Sequence, residues 1–196
     1  MAISMDDPQL AVRIRAKDPE TLQGIVETYL GQIFRSARGA GLNPEQAEEV
    51  TQATFTIFIE QASRFEGRSH VRTWLFGILY NKISEERRRL GREQRMDDIE
   101  EVVEQRFNAS GRWVNPPQPV DDQLHASEIR GLFEDCLLAV PTQQRMAFVL
   151  REVENLSSDE TCKILDVTAT NLGVLMYRVR NRLRECLEAK GVNKEP

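Results

Sequence analysis

Apolar residues along this 196-residue chain recur at three- and four-residue steps, and no stretch sustains the alternation of a strand. Such spacing gathers them on one face of an α-helix. After Asp18, the series Leu22, Ile25, Val26, Tyr29, Leu30, Ile33 and Ala37 marks a long helix, punctuated by Gly39, Gly41 and Asn43. Ala47, Val50, Thr54, Phe55, Phe58, Ile59 and Ala62 give the inward face of a second. Val71, Trp74, Leu75, Ile78, Leu79 and Ile83 give that of a third, for which Ser69 is placed as the cap. Asp7-Pro8, Asp18-Pro19 and Asn43-Pro44 each set a capping side chain before a proline at the first helical position. The fold class expected is all-α.

Periodicity lapses between Met96 and Asp122, an acidic run containing Asn115-Pro116-Pro117-Gln118-Pro119. A segment like this is unusual inside a domain, so it reads as a flexible linker between two small helical domains. The expected organisation is a domain over 8–95, a linker over 96–121 and a second domain over 122–190. In the second, Ile129, Leu132, Phe133, Cys136, Leu137 and Val140 line a helix closed by Pro141. A helix from Thr142 to Val153 is broken by Asn155. Ser157 and Glu160 then form a capping box, and Thr168 caps a last helix carrying Leu172, Leu175, Met176, Val179, Leu183 and Leu187 inward.

Composition narrows the classes. No apolar run approaches the roughly 18 residues of a membrane span, and Met1 to Leu10 lacks the pattern of a secretory signal, so a cytoplasmic protein is expected. Cys136, Cys162 and Cys186 are far apart among apolar neighbours, and the histidines are His70 and His125. Reduced, buried thiols and no metal site or cofactor are expected. Net charge is -5 and the pI about 5.3, which disfavours strong unaided binding to DNA. Charge is nevertheless blocked: nine basic residues face four acidic ones over 64–95, and two face seven over 96–123. Such blocks suit several surfaces for several neighbours.

Two features bear chemistry. The short helix before Asp166 and the long one after Thr168 form a helix-turn-helix pattern. A helical wheel centred on Leu172 turns Val174, Tyr177, Arg178, Asn181 and Arg184 outward, with Thr168, Thr170 and Asn171 at the end that meets base edges. From Phe65 to Arg89, a Gly-Arg-Ser loop, Asn81 and the basic Arg72, Lys82, Arg87, Arg88 and Arg89 are interleaved with Phe65, Trp74, Phe76 and Tyr80. Basic groups among aromatics suit single-stranded nucleic acid, although Phe65 and Trp74 also suit a core. A conventional helix-turn-helix repressor or activator would use only the second domain. A nuclease would need a metal cluster or nucleophile-base pair that the sequence does not offer.

The fragments Ala47-Glu48-Glu49-Val50-Thr51-Gln52-Ala53-Thr54-Phe55, Arg64 to Ser69, Arg72-Thr73-Trp74-Leu75 and Asn81 resemble region two of the extracytoplasmic-function (ECF) sigma factors of bacterial RNA polymerase. Leu138-Ala139-Val140-Pro141, Gln144-Arg145, Leu150-Arg151, Leu156-Ser157 and Arg178 to Arg184 resemble their region four. Ala53 and Val71 stand where the family often has an acidic and an aromatic residue. The resemblance implies binding to core RNA polymerase through Glu48, Glu49, Gln52 and Phe55. It implies capture of the melted -10 strand, with a flipped base, by Phe65, Gly67, Arg68, Ser69, His70, Arg72, Trp74, Asn81, Lys82 and Arg88. Duplex at the -35 element would be read by Thr168, Thr170, Asn171, Val174, Tyr177, Arg178, Asn181 and Arg182. An anti-sigma factor is the further partner it implies.

Overall fold

Two of the three proline-led start signals, Asp18-Pro19 and Asn43-Pro44, are used as read. In the computed structural model, which describes residues 9–89 and 126–192, Asp18 accepts a hydrogen bond from the Thr21 backbone N–H at 2.9 Å and opens α2 (Pro19–Gly39). Asn43 and Gln46 form a reciprocal capping box at the head of α3 (Pro44–Gln61). A short α1 (Leu10–Arg15) precedes them, and a 3-10 turn (Ala62–Arg64) leads to α4 (Val71–Arg89). Asp7-Pro8 and the linker expected over 96–121 lie outside the described residues. Ser69 does not cap α4: the helix begins two residues later, where His70 Nδ1 accepts from Arg72 N at 3.1 Å. The imidazole takes the role expected of the hydroxyl.

Helices α2, α3 and α4 pack together around Ile25, Ile33, Phe58, Leu75, Phe76, Leu79 and Ile83. The second domain comprises α5 (Ala126–Leu138), α6 (Thr142–Phe148), α7 (Ser158–Leu165) and α8 (Ala169–Ala189). The helix expected to run to Val153 changes character at Val149, where a π-helical turn (Val149–Val153) ends in Glu154. Asn155 follows at φ +53 and stops it. Ser157 and Glu160 complete their capping box, Asp166 closes α7 in the left-handed region, and Thr168 caps α8 by accepting from Asn171 N at 3.2 Å. All these elements are helical, as the periodicity requires.

The cysteines depart from expectation. Cys136 on α5 and Cys186 on α8 are joined in a disulfide, and Cys162 is free. Packing α8 against α5 brings their Cα atoms to 5.7 Å, inside the range a bridge needs. Fifty residues of sequence separation hid that proximity.

Two stability outcomes follow. Gly77 lies inside α4, and beyond its chain neighbours and the helix's own backbone nothing lies within 4 Å of the position its Cβ would take, so Gly77→Ala should stabilise the first domain by about 1 kcal/mol. Thermal denaturation reads this, and an unchanged or lower midpoint would refute it. Peptide mapping without reductant should recover a Cys136–Cys186 linked pair, and reduction should lower the melting midpoint of the second domain.

Candidate nucleic-acid interface

The loop between the 3-10 turn and α4 is held from beneath. Phe65 is buried and stacks on Trp74 (centroids 5.0 Å, planes 18° apart), and Trp74 meets Phe58 edge-on at 5.4 Å. Gly67 adopts φ +71, and a Cβ there would come within 2.9 Å of the Ala11 Cβ. On this platform Arg68 is exposed and pairs with Glu66 at 2.5 Å, with His70 exposed and Ser69 half-buried. Farther along α4, Asn81 and Arg88 are exposed, and Lys82 is bound to Glu85 at 2.7 Å. Loop, Asn81, Lys82 and Arg88 thus offer polar and cationic groups, while Phe65 serves the core and Trp74 joins the stack that supports the loop.

Arg72 is engaged elsewhere. Its Nη2 donates to the backbone carbonyl of Glu154 and lies 3.5 Å from the Glu154 carboxylate, across in the second domain. Next to it, Thr73 Oγ1 donates to Glu160 Oε1 at 2.8 Å. Burial raises the Glu160 pKa, but hydrogen bonds from Ser157 and Thr73 and the nearby Arg72 charge outweigh it and hold the carboxyl below its usual value.

At the other candidate surface, α7 and α8 form the helix-turn-helix pair. Thr168 and Thr170 are exposed, with Asn171, Val174 and Tyr177 half-buried along the same end of α8. Arg182 is half-buried, and burial lowers its pKa. Arg178 and Asn181 correct the helical wheel: they are 2% and 4% exposed, not outward. Helix α8 packs against α5, α6 and α7 together, so its buried arc is wider than the single stripe a wheel assumes. Phe55 is corrected too. At 6% exposure it is core, whereas Glu48, Glu49 and Gln52 on the same helix are exposed.

Sequence reasoning passed over the residues that join the domains. Ser36, Thr73, Arg145 and Glu154 carry no local signal of this contact, and Glu160 showed only its capping role, because each acts across the domains on a partner at least 87 residues away. Gly39 and Gly41 were the available clue, read there as punctuation alone.

The comparisons agree with this architecture. The family model for sigma-70 region 2 matches residues 25–93, and that for sigma-70, region 4 matches residues 130–183. A Haemophilus influenzae protein described as "Probable RNA polymerase sigma factor" is 33% identical over 152 residues, spanning 74% of this chain and 78% of its own. The ECF RNA polymerase sigma-E factor of Escherichia coli K12 is 22% identical over 183 residues, 93% of this chain and 95% of that one. Among solved structures, CnrH in complex with the cytosolic domain of CnrY aligns at TM-score 0.67 and 18% identity, covering 93% of this chain and 97% of that one. The sigma factor RpoE in complex with the anti-sigma factor NepR from Bartonella quintana aligns at TM-score 0.63 and 22% identity, covering 88% and 98%.

Because the folded-state pKa of Glu160 is depressed, its contribution to stability is complete above the ordinary glutamate range, about 4.3, and is lost as pH falls through the depressed value. Glu160→Gln keeps a capping-box side chain but removes the charge. Wild type should therefore melt higher than this variant at pH 7, and the gap should close as pH falls below the ordinary glutamate range. A gap independent of pH would refute this.

Proposed function

The chain belongs to the ECF sigma factors of bacterial RNA polymerase, and from that premise we propose how its surfaces divide the work. Region two, over 8–95, docks on core polymerase through the exposed Glu48, Glu49 and Gln52, with Phe55 supporting that helix from inside. The loop Gly67 to His70, with Asn81, Lys82 and Arg88, takes the melted -10 strand, and the Phe65–Trp74 stack holds the loop in shape. A preformed loop matters because extracting a base costs a few kcal/mol. The segment 96–121 connects the domains. Region four, over 122–190, reads the -35 duplex with Thr168, Thr170, Asn171, Val174, Tyr177 and Arg182. Arg178 and Asn181 act from within α8 by setting its packing.

The observation that carries the -35 assignment is the open N-terminal turn of α8, where Thr168 and Thr170 stay exposed beside Asn171. A recognition helix presents its first turns to base edges in the major groove. The work is binding and melting of DNA on behalf of polymerase, not catalysis by this chain. It takes place in the cytoplasm, where core polymerase is found. Control by an anti-sigma protein is supported by the fold shared with RpoE, which is seen in complex with the anti-sigma factor NepR.

In vitro transcription with core polymerase on a library of promoter fragments tests the assignment. Transcripts sharing -35 and -10 elements should appear only when this protein is added. Asn171→Ala should lower them by about 5- to 150-fold, the range of a base contact of about 1–3 kcal/mol, while co-elution with core polymerase is unchanged. Absence of both transcripts and co-elution would overturn the reading.

A further inference from the structure

Where α2 turns into α3, helix α5 supplies the far wall of a cleft of about 640 Å³. Small-molecule sites occupy about 300–1,000 Å³. Gly39 and Gly41 let the walls meet. A Cβ at Gly39 would lie 3.2 Å from Val149 Cγ2, and one at Gly41 would lie 2.7 Å from Leu138 Cδ2. The lining is largely apolar. Leu42 and Leu137 are buried, whereas Leu138 stays 51% exposed within it. Pro44 carries the apolar surface to the head of α3.

Charge in and beneath the cleft is one-sided. Arg35 and Arg38 line it from α2, and Glu134 lines it from α5. Arg35 has no ion pair among the described residues, and Arg38 donates to the Leu42 carbonyl at 2.6 Å. Two more guanidinium groups lie under Gly41, whose Cβ would fall on that of Arg145 and within 2.6 Å of Arg87 Nη2. The negative ends of α2 and α5 meet here as well, but they are already engaged. Arg87 and Arg145 bind the Ala40 carbonyl, and Arg145 binds that of Leu138. Four guanidinium groups therefore face one carboxylate across apolar walls, an arrangement that concentrates positive potential in the cleft. We propose that this cleft binds a small amphiphilic anion, its anionic head at Arg35 and Arg38 and its apolar body over Leu42, Leu137 and Leu138. The occupant touches α2 and α3 of one region and α5 of the other. It gives a small molecule a hold on a protein whose other proposed partners are macromolecules, and it is independent of the division of work set out above.

Fluorescence titration of the full chain with anilinonaphthalene sulfonate, an aromatic body bearing one anionic head, tests the site. The probe should bind once per chain and be displaced by decanoate, which has both head and body. At matched ionic strength, inorganic phosphate (a head alone) and decyltrimethylammonium (a body of opposite charge) should leave it in place. Arg35→Glu and Arg38→Glu should each weaken binding at least about ten-fold, the least expected for a lost charged hydrogen bond. Arg15→Glu, an exposed charge reversal on α1 away from the lining, should not. Because Arg35 is exposed and makes no ion pair, its variant still reads the site if Arg38→Glu loosens the turn that Arg38 closes at Leu42. Decanoate should also raise the melting midpoint of wild type and leave that of Arg35→Glu unchanged. Displacement by either control ligand as readily as by decanoate, or Arg35→Glu binding the probe as wild type does, would overturn the proposal.

Discussion

The backbone carbonyl of Ala40 is where the structure is tied together. Helix α2 ends in a turn in which Gly41 N donates to Arg38 O and Leu42 N to Ala37 O, leaving Ala40 O without a partner from its own helix. Two guanidinium groups take it: Arg87 from α4 at 2.6 Å and Arg145 from α6 at 2.7 Å. Arg145 also donates to Leu138 O at 2.5 Å and Val140 O at 2.6 Å, so one side chain closes the end of α5 and reaches the end of α2. Burial, then the neighbouring Arg87, lowers its pKa to about 10, which still leaves it charged at neutral pH. Two buried like charges side by side are costly. They are tolerated because carbonyl ends of helices supply the opposing partial charge.

Local chemistry was legible in the sequence and spatial neighbourhood was not. Asp18, Asn43, Ser157 and Thr168 cap the helices they precede because capping spans three or four residues of chain. Helix positions followed from one apolar stripe each, and region identity from fragments in order. What failed depended on how many neighbours a helix has. Arg178 and Asn181 read as outward because one stripe was assumed where α8 has three packing partners. Phe55 was assigned both inward and to polymerase, and only its burial separates the two. The Ser69 assignment missed by one residue because His70 can supply a ring nitrogen to the same start.

The candidate site shows the same division. Its exposed members, Arg68, Asn81, Arg88, Thr168 and Thr170, were recognised by residue type and fragment. Arg72 was recognised too, but its partner Glu154 could not be, since 82 residues separate them. Helix α4 therefore has two working lengths. Its first turn is committed to the second domain, while Asn81 and Arg88 farther along remain open to solvent. Basic and acidic blocks in the sequence gave the balance of charge but not which charges face one another.

The covalent link between Cys136 and Cys186 has a consequence for the opened chain. It joins α5 to α8 and encloses α6, α7 and most of α8 in a ring of chain. When region four unfolds, the two ends of that ring stay together, so the open chain has fewer conformations to gain. The bond thereby acts on the unfolded ensemble as much as on the folded domain.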